Sequence, residues 1–166
     1  MRKEEMQLLT SALKYEQGHR RRTQHILKVY AMAGLLGRAR NIDEKDQYLL
    51  NRRAVVHDIA IKYCKENCED ASAENQKKYC GMLTEKFLLE AGYDSECLPP
   101  VKYMVYHHHD YHIEKDILLQ LLVEADIIVN CLEEGCEGKD LDCISGIFVS
   151  QAGKELFDSI IKKEGR

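Results

Sequence analysis

Only two prolines occur in 166 residues, adjacent at Pro99 and Pro100, so almost nothing in this chain forbids long helices. Proline removes a backbone donor and clashes with the preceding helical turn, and its scarcity lifts the strongest local bar to helix. The apolar residues use that freedom. They recur at three- and four-residue spacing, while the strict alternation of a half-buried strand is rare. The pattern predicts an all-α fold: a single-domain helical bundle of about six to eight helices, with no internal repeat or low-complexity tract to divide residues 1–166.

The expected elements follow from periodicity and punctuation. A first helix runs from about Met1 to Tyr15 and ends near Gly18. A second, near Arg22 to Leu36, carries Ile26, Val29, Tyr30 and Ala33 on one face, with Gly37 as its stop. Asp43 is a suitable N-cap for a third, which continues through Tyr48 and Leu50 into AVVHDIAI. After a polar loop at 67–73, a fourth covers about Ala73 to Glu90, where Gly92 can take the left-handed cap. The proline pair introduces a fifth through VKYMVYHHH, and a sixth covers about Lys115 to Leu132. A Gly- and acid-rich connection follows at 133–142, and residues 144–164 read as helical with a break near Gly153.

Composition narrows the function. The chain is 45% hydrophobic and 31% charged, enough for a core beneath a solvated surface. Its net charge of −4 argues against binding a nucleic-acid polymer, which attracts basic surfaces, although a local basic cluster can still hold one phosphate. The seven cysteines lack C-x-x-C spacing, and MRKEEMQLLT has no apolar signal core, so reduced thiols in a cytoplasmic protein are expected. No apolar run approaches the roughly 18 residues of a membrane span.

Two aspartates stand out because they fall in apolar surroundings. Within ILLQLLVEADIIVN, Gln120 and Glu124 are four apart and read as the polar face. Asp126 lies about 200° around the helix from Glu124, on the side of Leu119, Leu122 and Val129. Asp58 follows His57 inside AVVHDIAIKY. A buried carboxylate needs a partner, whether an ion pair, a hydrogen bond or a metal. Imidazole and carboxylate together suit divalent transition metals, and His25, at the edge of the second helix's apolar stripe, is a further candidate ligand. Arg21 and Arg22 precede His25 by four and three residues, within reach of its side and able to hold a phosphate oxygen by their planar forks. Arg20 reads as solvated surface. In YHHHDYH, four histidines occupy six positions; His107 or His108 pointing inward would bind phosphate or protonate a leaving group, His108 and His112 share a helix face, and His109 looks elsewhere. No H-E-x-x-H pattern supports zinc-protease chemistry.

The ordered set His25, His57-Asp58, His107-His108 and Asp126 resembles the HD-domain superfamily of metal-dependent phosphohydrolases, whose helical core carries H…HD…D. The resemblance runs through RRTQHILKVY, AVVHDIAIKY, YMVYHHHDYH and LLVEADIIVN, placing a motif-bearing core at about 19–132 and C-terminal helices at about 144–164. It implies one divalent metal (Mn, Co, Ni, Fe, Mg or Zn) on His25, His57, Asp58 and Asp126. It further implies a metal-activated water attacking the phosphoester of a small phosphorylated metabolite or nucleotide. Asp58 would also take the water's proton, Arg21, Arg22 and Lys62 would neutralise phosphoryl oxygens, and His107 or His108 would serve the leaving group.

Departures from the family pattern define the alternatives. Ala60 stands where many relatives have the glycine of HDIG, and Ile61 stands where cyclic-dinucleotide-cleaving relatives have lysine; their glycine-tyrosine-proline signature is also missing. No histidine lies between the HD pair and the later histidines; Glu74 and Glu85 are the acids available there, and one metal is expected rather than two. A non-catalytic HD module binding metal or nucleotide as a regulator is the alternative. A two-iron oxygenase would need further ligands. The C-terminal Leu156, Phe157, Ile160 and Ile161 either close the core or support a homodimer.

Overall fold

The computed structural model describes residues 1–110, 116–136 and 140–162. His112, Lys115 and residues 163–164, which enter the sequence expectations above, lie outside the described residues. Regular structure among the described residues is helical: α1 (Lys3–Tyr15), α2 (Arg20–Ala39), α3 (Glu44–Val56), α4 (Ala60–Asn67), α5 (Ala73–Glu90), α6 (Leu98–His107), α7 (Ile117–Glu134), α8 (Asp140–Ser145) and α9 (Gln151–Phe157). A 3₁₀ turn at Ser95–Cys97 leads into α6, and a π-helical turn at Asp158–Lys162 follows α9. No described helix is long and apolar enough to cross a membrane.

α7 is the axis of the bundle. It is apolar on nearly every side, and Leu118, Leu119, Leu121, Leu122, Ile128 and Val129 are all buried. A helix of that composition must be surrounded. α2, α3 and α9 pack around it, contributing Val29, Ala33, Leu36, Leu50 and Phe157 to one apolar cluster. A second cluster joins α1, α4, α5 and α6 through Leu8, Ala12, Cys64, Leu88 and Val101. Phe157 and Ile161 belong to the first cluster, so the C-terminal segment closes the core, one of the two roles expected of it.

Local signals that name a specific hydrogen bond or backbone angle are obeyed. Asp43 caps α3 by accepting from the Asp46 amide at 2.8 Å. α5 spans Ala73–Glu90, and Gly92 beyond it has φ +88°. Four expectations are corrected. α2 runs through Gly37 to Ala39, because a side chain at Gly37 would collide with Gln47 of α3; the glycine serves close helix approach, and Asn41, at φ 55°, marks the exit. The third expected helix is two: α3 ends at Val56 and α4 starts at Ala60, with a turn at His57–Ile59. The break expected at Gly153 falls instead between Ser145 and Gln151, leaving Gly153 inside α9. Cys131 and Cys136 form a disulfide around Gly135, whereas Cys64, Cys68, Cys80, Cys97 and Cys143 are free.

Candidate metal centre

Three elements deliver four ligating groups to one point. α2 presents His25, a residue only 5% exposed, beside the core-facing Ile26 and Val29. The turn between α3 and α4 carries His57 and Asp58, and both side chains reach the cluster. α7 presents Asp126, 8% exposed, from the core side predicted for it. His25 Nε2 lies 3.2 Å from His57 Nε2, 3.2 Å from Asp126 Oδ1 and 3.7 Å from Asp58 Oδ2. His57 Nε2 lies 3.6 Å from both Asp58 Oδ2 and Asp126 Oδ1.

The proton count at this point is short. His57 Nδ1 is 2.8 Å from the Ala54 carbonyl and must carry hydrogen to donate there, so the neutral ring turns a lone pair at Nε2 towards the cluster. His25 Nδ1 is 3.2 Å from Oε2 of Glu133, whose Oε1 accepts from Lys28 Nζ at 2.9 Å; the pairing favours the same tautomer. Two imidazole nitrogens and two carboxylate oxygens therefore converge, and Asp126 Oδ1 is buried without a hydrogen bond. Such a set needs a proton or a cation at its centre. Ligands about 2.1 Å from a transition-metal ion stand roughly 3.0–3.4 Å apart in octahedral or tetrahedral shells, and the separations here begin in that range. Outer hydrogen bonds of this kind are what orient metal-binding histidines. His25, His57 and Asp58 have the mutual spacing of a group that could hold a divalent ion, and Asp126 Oδ1 stands against both imidazoles beside them.

Asp58 faces two ways. While Oδ2 looks towards His25 and His57, Oδ1 is 3.3 Å from His108 Nε2. His108 Nδ1 donates to the Val105 carbonyl at 2.7 Å, again leaving Nε2 for the site. His109 stacks on His108 with ring centroids 3.9 Å apart, and its Nε2 is buried without a partner. Asp58, His108 and His109 thus form a second group with metal-ligand spacing. α6 ends at His107, so helical spacing no longer governs where His109 points, and the expectation that it looks elsewhere is corrected.

Charges follow this geometry. Burial pushes the Asp58 carboxyl up, but His57, His108 and Arg22 outweigh it and hold the group well below the usual carboxylate range. Asp126 behaves alike: burial raises it, and His25 and His57 bring it below the usual range. For His25 burial favours the neutral ring, yet Asp126, Asp58 and Glu133 together raise its pKa. His109 is pushed down to about 4 by burial and by His108.

A cavity of about 310 Å³ opens beside the cluster, lined in part by Arg21, Arg22, Lys65, Asn130 and Glu134. Arg21 is mostly exposed and pairs with Glu134. Arg22 is engaged by Asp58, through Nη1 to Oδ2 at 3.3 Å and Nη2 to the backbone oxygen at 3.0 Å. Lys62 does not line this cavity; its ammonium donates to the Tyr15 carbonyl at 2.6 Å, and Lys65, one turn on, takes the place expected of it. His107 also turns away, with Nδ1 2.7 Å from Asp110 Oδ2, so His108 is the histidine that reaches the site. Glu85 pairs with Lys102 at 2.8 Å and Glu74 lines a separate surface pocket, so neither joins the cluster. Glu133 was the residue sequence reasoning missed; standing seven after Asp126, two helical turns on, it shares that face of α7. Comparison with protein-family models, curated proteins and solved structures finds no match.

Proposed function

We propose that this centre binds one divalent metal ion on His25, His57, Asp58 and Asp126 and hydrolyses a phosphoester of a small phosphorylated metabolite or nucleotide. One observation carries the reading: His57 Nε2, Asp58 Oδ2 and Asp126 Oδ1, from two further elements, all lie within 3.7 Å of the buried His25 Nε2. The reaction class comes from the resemblance to the HD-domain superfamily. Mixed nitrogen and oxygen ligands favour Mn, Fe, Co, Ni or Zn over Mg. When bound, the ion supplies a Lewis acid that makes water a nucleophile near neutral pH.

The chain's own groups do the rest. Asp58 Oδ1, on the side away from the first cluster, accepts the proton of the attacking water. That proton passes from Asp58 Oδ1 to His108 Nε2, 3.3 Å away, which delivers it to the leaving group. Arg21 and Lys65 on the cavity wall neutralise the phosphoryl oxygens. The cavity suits a small molecule rather than a polymer. The cytoplasm is the proposed compartment, supported by the five free thiols.

A second reading has its own support: Asp58 faces two imidazole groups through its two oxygens, as a carboxylate bridging two ions would. Metal content per chain separates the readings. The functional test screens the protein, loaded with Mn²⁺, Co²⁺, Ni²⁺ or Mg²⁺, against nucleotides and sugar phosphates. Phosphate release that vanishes in Asp58→Ala and Asp126→Ala, with helicity retained, is the expected result. A metal-loaded wild type that releases none from any substrate leaves a binding module instead.

A further inference from the structure

Glu16 has no place in the ligand set, yet it is fully buried and neither carboxylate oxygen has a hydrogen bond. An ionised carboxylate in that position is costly unless a counter-charge stands against it. The cation beside it is Arg22, whose Nε lies 3.5 Å from Glu16 Oε1, an ion pair rather than a formed hydrogen bond. The opposite edge of the same guanidinium holds Asp58, by side chain and by backbone. Glu16, Arg22 and Asp58 therefore form a chain of alternating charge that ends on the carboxylate shared by both imidazole groups.

The arrangement resolves a conflict. Arg22 Nη1 touches Asp58 Oδ2, the oxygen that faces His25 and His57, so an unrestrained arginine competes with a cation for that oxygen. An arginine anchored at its other edge can orient Asp58 without taking it over. The turn after α1 places Glu16 there: its carbonyl accepts from the His19 amide at 2.9 Å, folding Glu16 beneath the start of α2, where a negative charge is favoured.

We infer that Glu16 is a positioning residue for the metal centre, acting through Arg22 to hold Asp58 in ligating orientation; this rests on the metal reading above. Removing such an outer partner weakens metal binding by about 10- to 100-fold. The test measures Mn²⁺ affinity by chelator competition in the wild type, Glu16→Gln, Arg22→Met and the double variant, with unfolding curves alongside. Glu16→Gln keeps the side-chain shape and removes the buried charge, so the fold should persist. The expected result is weaker Mn²⁺ binding in Glu16→Gln and no further loss when the same change is made in Arg22→Met. Full affinity in Glu16→Gln, or losses that simply add in the double variant, overturns the inference and leaves the metal site standing. A wild type that binds no Mn²⁺ overturns both.

Discussion

Two carboxylates on α7, Glu124 and Asp126, are both buried, and they stand two residues apart. Glu124 is surrounded by donors: the amides of Val149 and Ser150 at 2.8 Å each, the Ser150 hydroxyl, and Gln120 Nε2 at 3.0 Å. Asp126 Oδ1 has none and instead faces two imidazole nitrogens. Burial is the same in kind; the difference is the neighbours. Glu124 is a structural tie that fastens the start of α9 to α7. Asp126 instead stands against His25 and His57, two members of a cluster that could hold a metal ion.

The comparison can be broken most forcefully by deleting each acid. Asp126→Ala is expected to weaken metal binding beyond the roughly 100-fold upper range for an outer partner, while the helical fold survives. Glu124→Ala should do the reverse. It strands the buried amide and hydroxyl of Ser150 and the part-buried Val149 amide, costing about 3 kcal/mol of stability by denaturant unfolding, with metal affinity unchanged in the folded protein. If Glu124→Ala lost metal as Asp126→Ala does, the distinction between tie and ligand would be wrong.

Smaller effects sharpen it. Gly153→Ala drives a methyl group into the Glu124 carboxylate and Ser150 hydroxyl, and should cost about 1–3 kcal/mol of stability without touching metal affinity. The pH dependence of the metal-free protein has a definite sign. His25 has a raised pKa, so its contribution to stability is present below the unfolded value of about 6.5 and is lost as pH rises through the folded value. Asp58 and Asp126 have lowered values, so theirs is present above about 3.9 and lost as pH falls towards the folded values. Metal must displace the His25 proton, so affinity should rise with pH where metal-free stability falls. Thermal melts and metal titrations across pH 5–8.5 check for these opposite slopes; parallel slopes would remove His25 from the ligand set.

The sequence disclosed those parts of the structure that a residue and its near neighbours determine. Gly92 follows the end of α5 with its positive φ, and Asp43 starts α3. Asp126 was legible because its angular position on α7 departs from the polar side. The failures share a cause, which is that the deciding partner lies far along the chain. Glu124 reads with Gln120 as the polar face of its helix, since nothing nearby announces that Val149 and Ser150 will cover it. Gly37 looked like a stop because Gln47 was out of view. The turn at His57–Ile59 was hidden by apolar residues continuing on both sides. His109 was misplaced by extending helical spacing beyond the end of α6.

The central claim is that Asp126 completes a cation site and Glu124 does not. It is tested most directly by thermal unfolding of the wild type, Glu124→Gln and Asp126→Asn with increasing Mn²⁺. An ion that binds only the folded chain raises its melting temperature in proportion to its occupancy. The account predicts a Mn²⁺-dependent rise for the wild type and for Glu124→Gln, from a lower starting point, and little or none for Asp126→Asn. An equal rise in Asp126→Asn would contradict it.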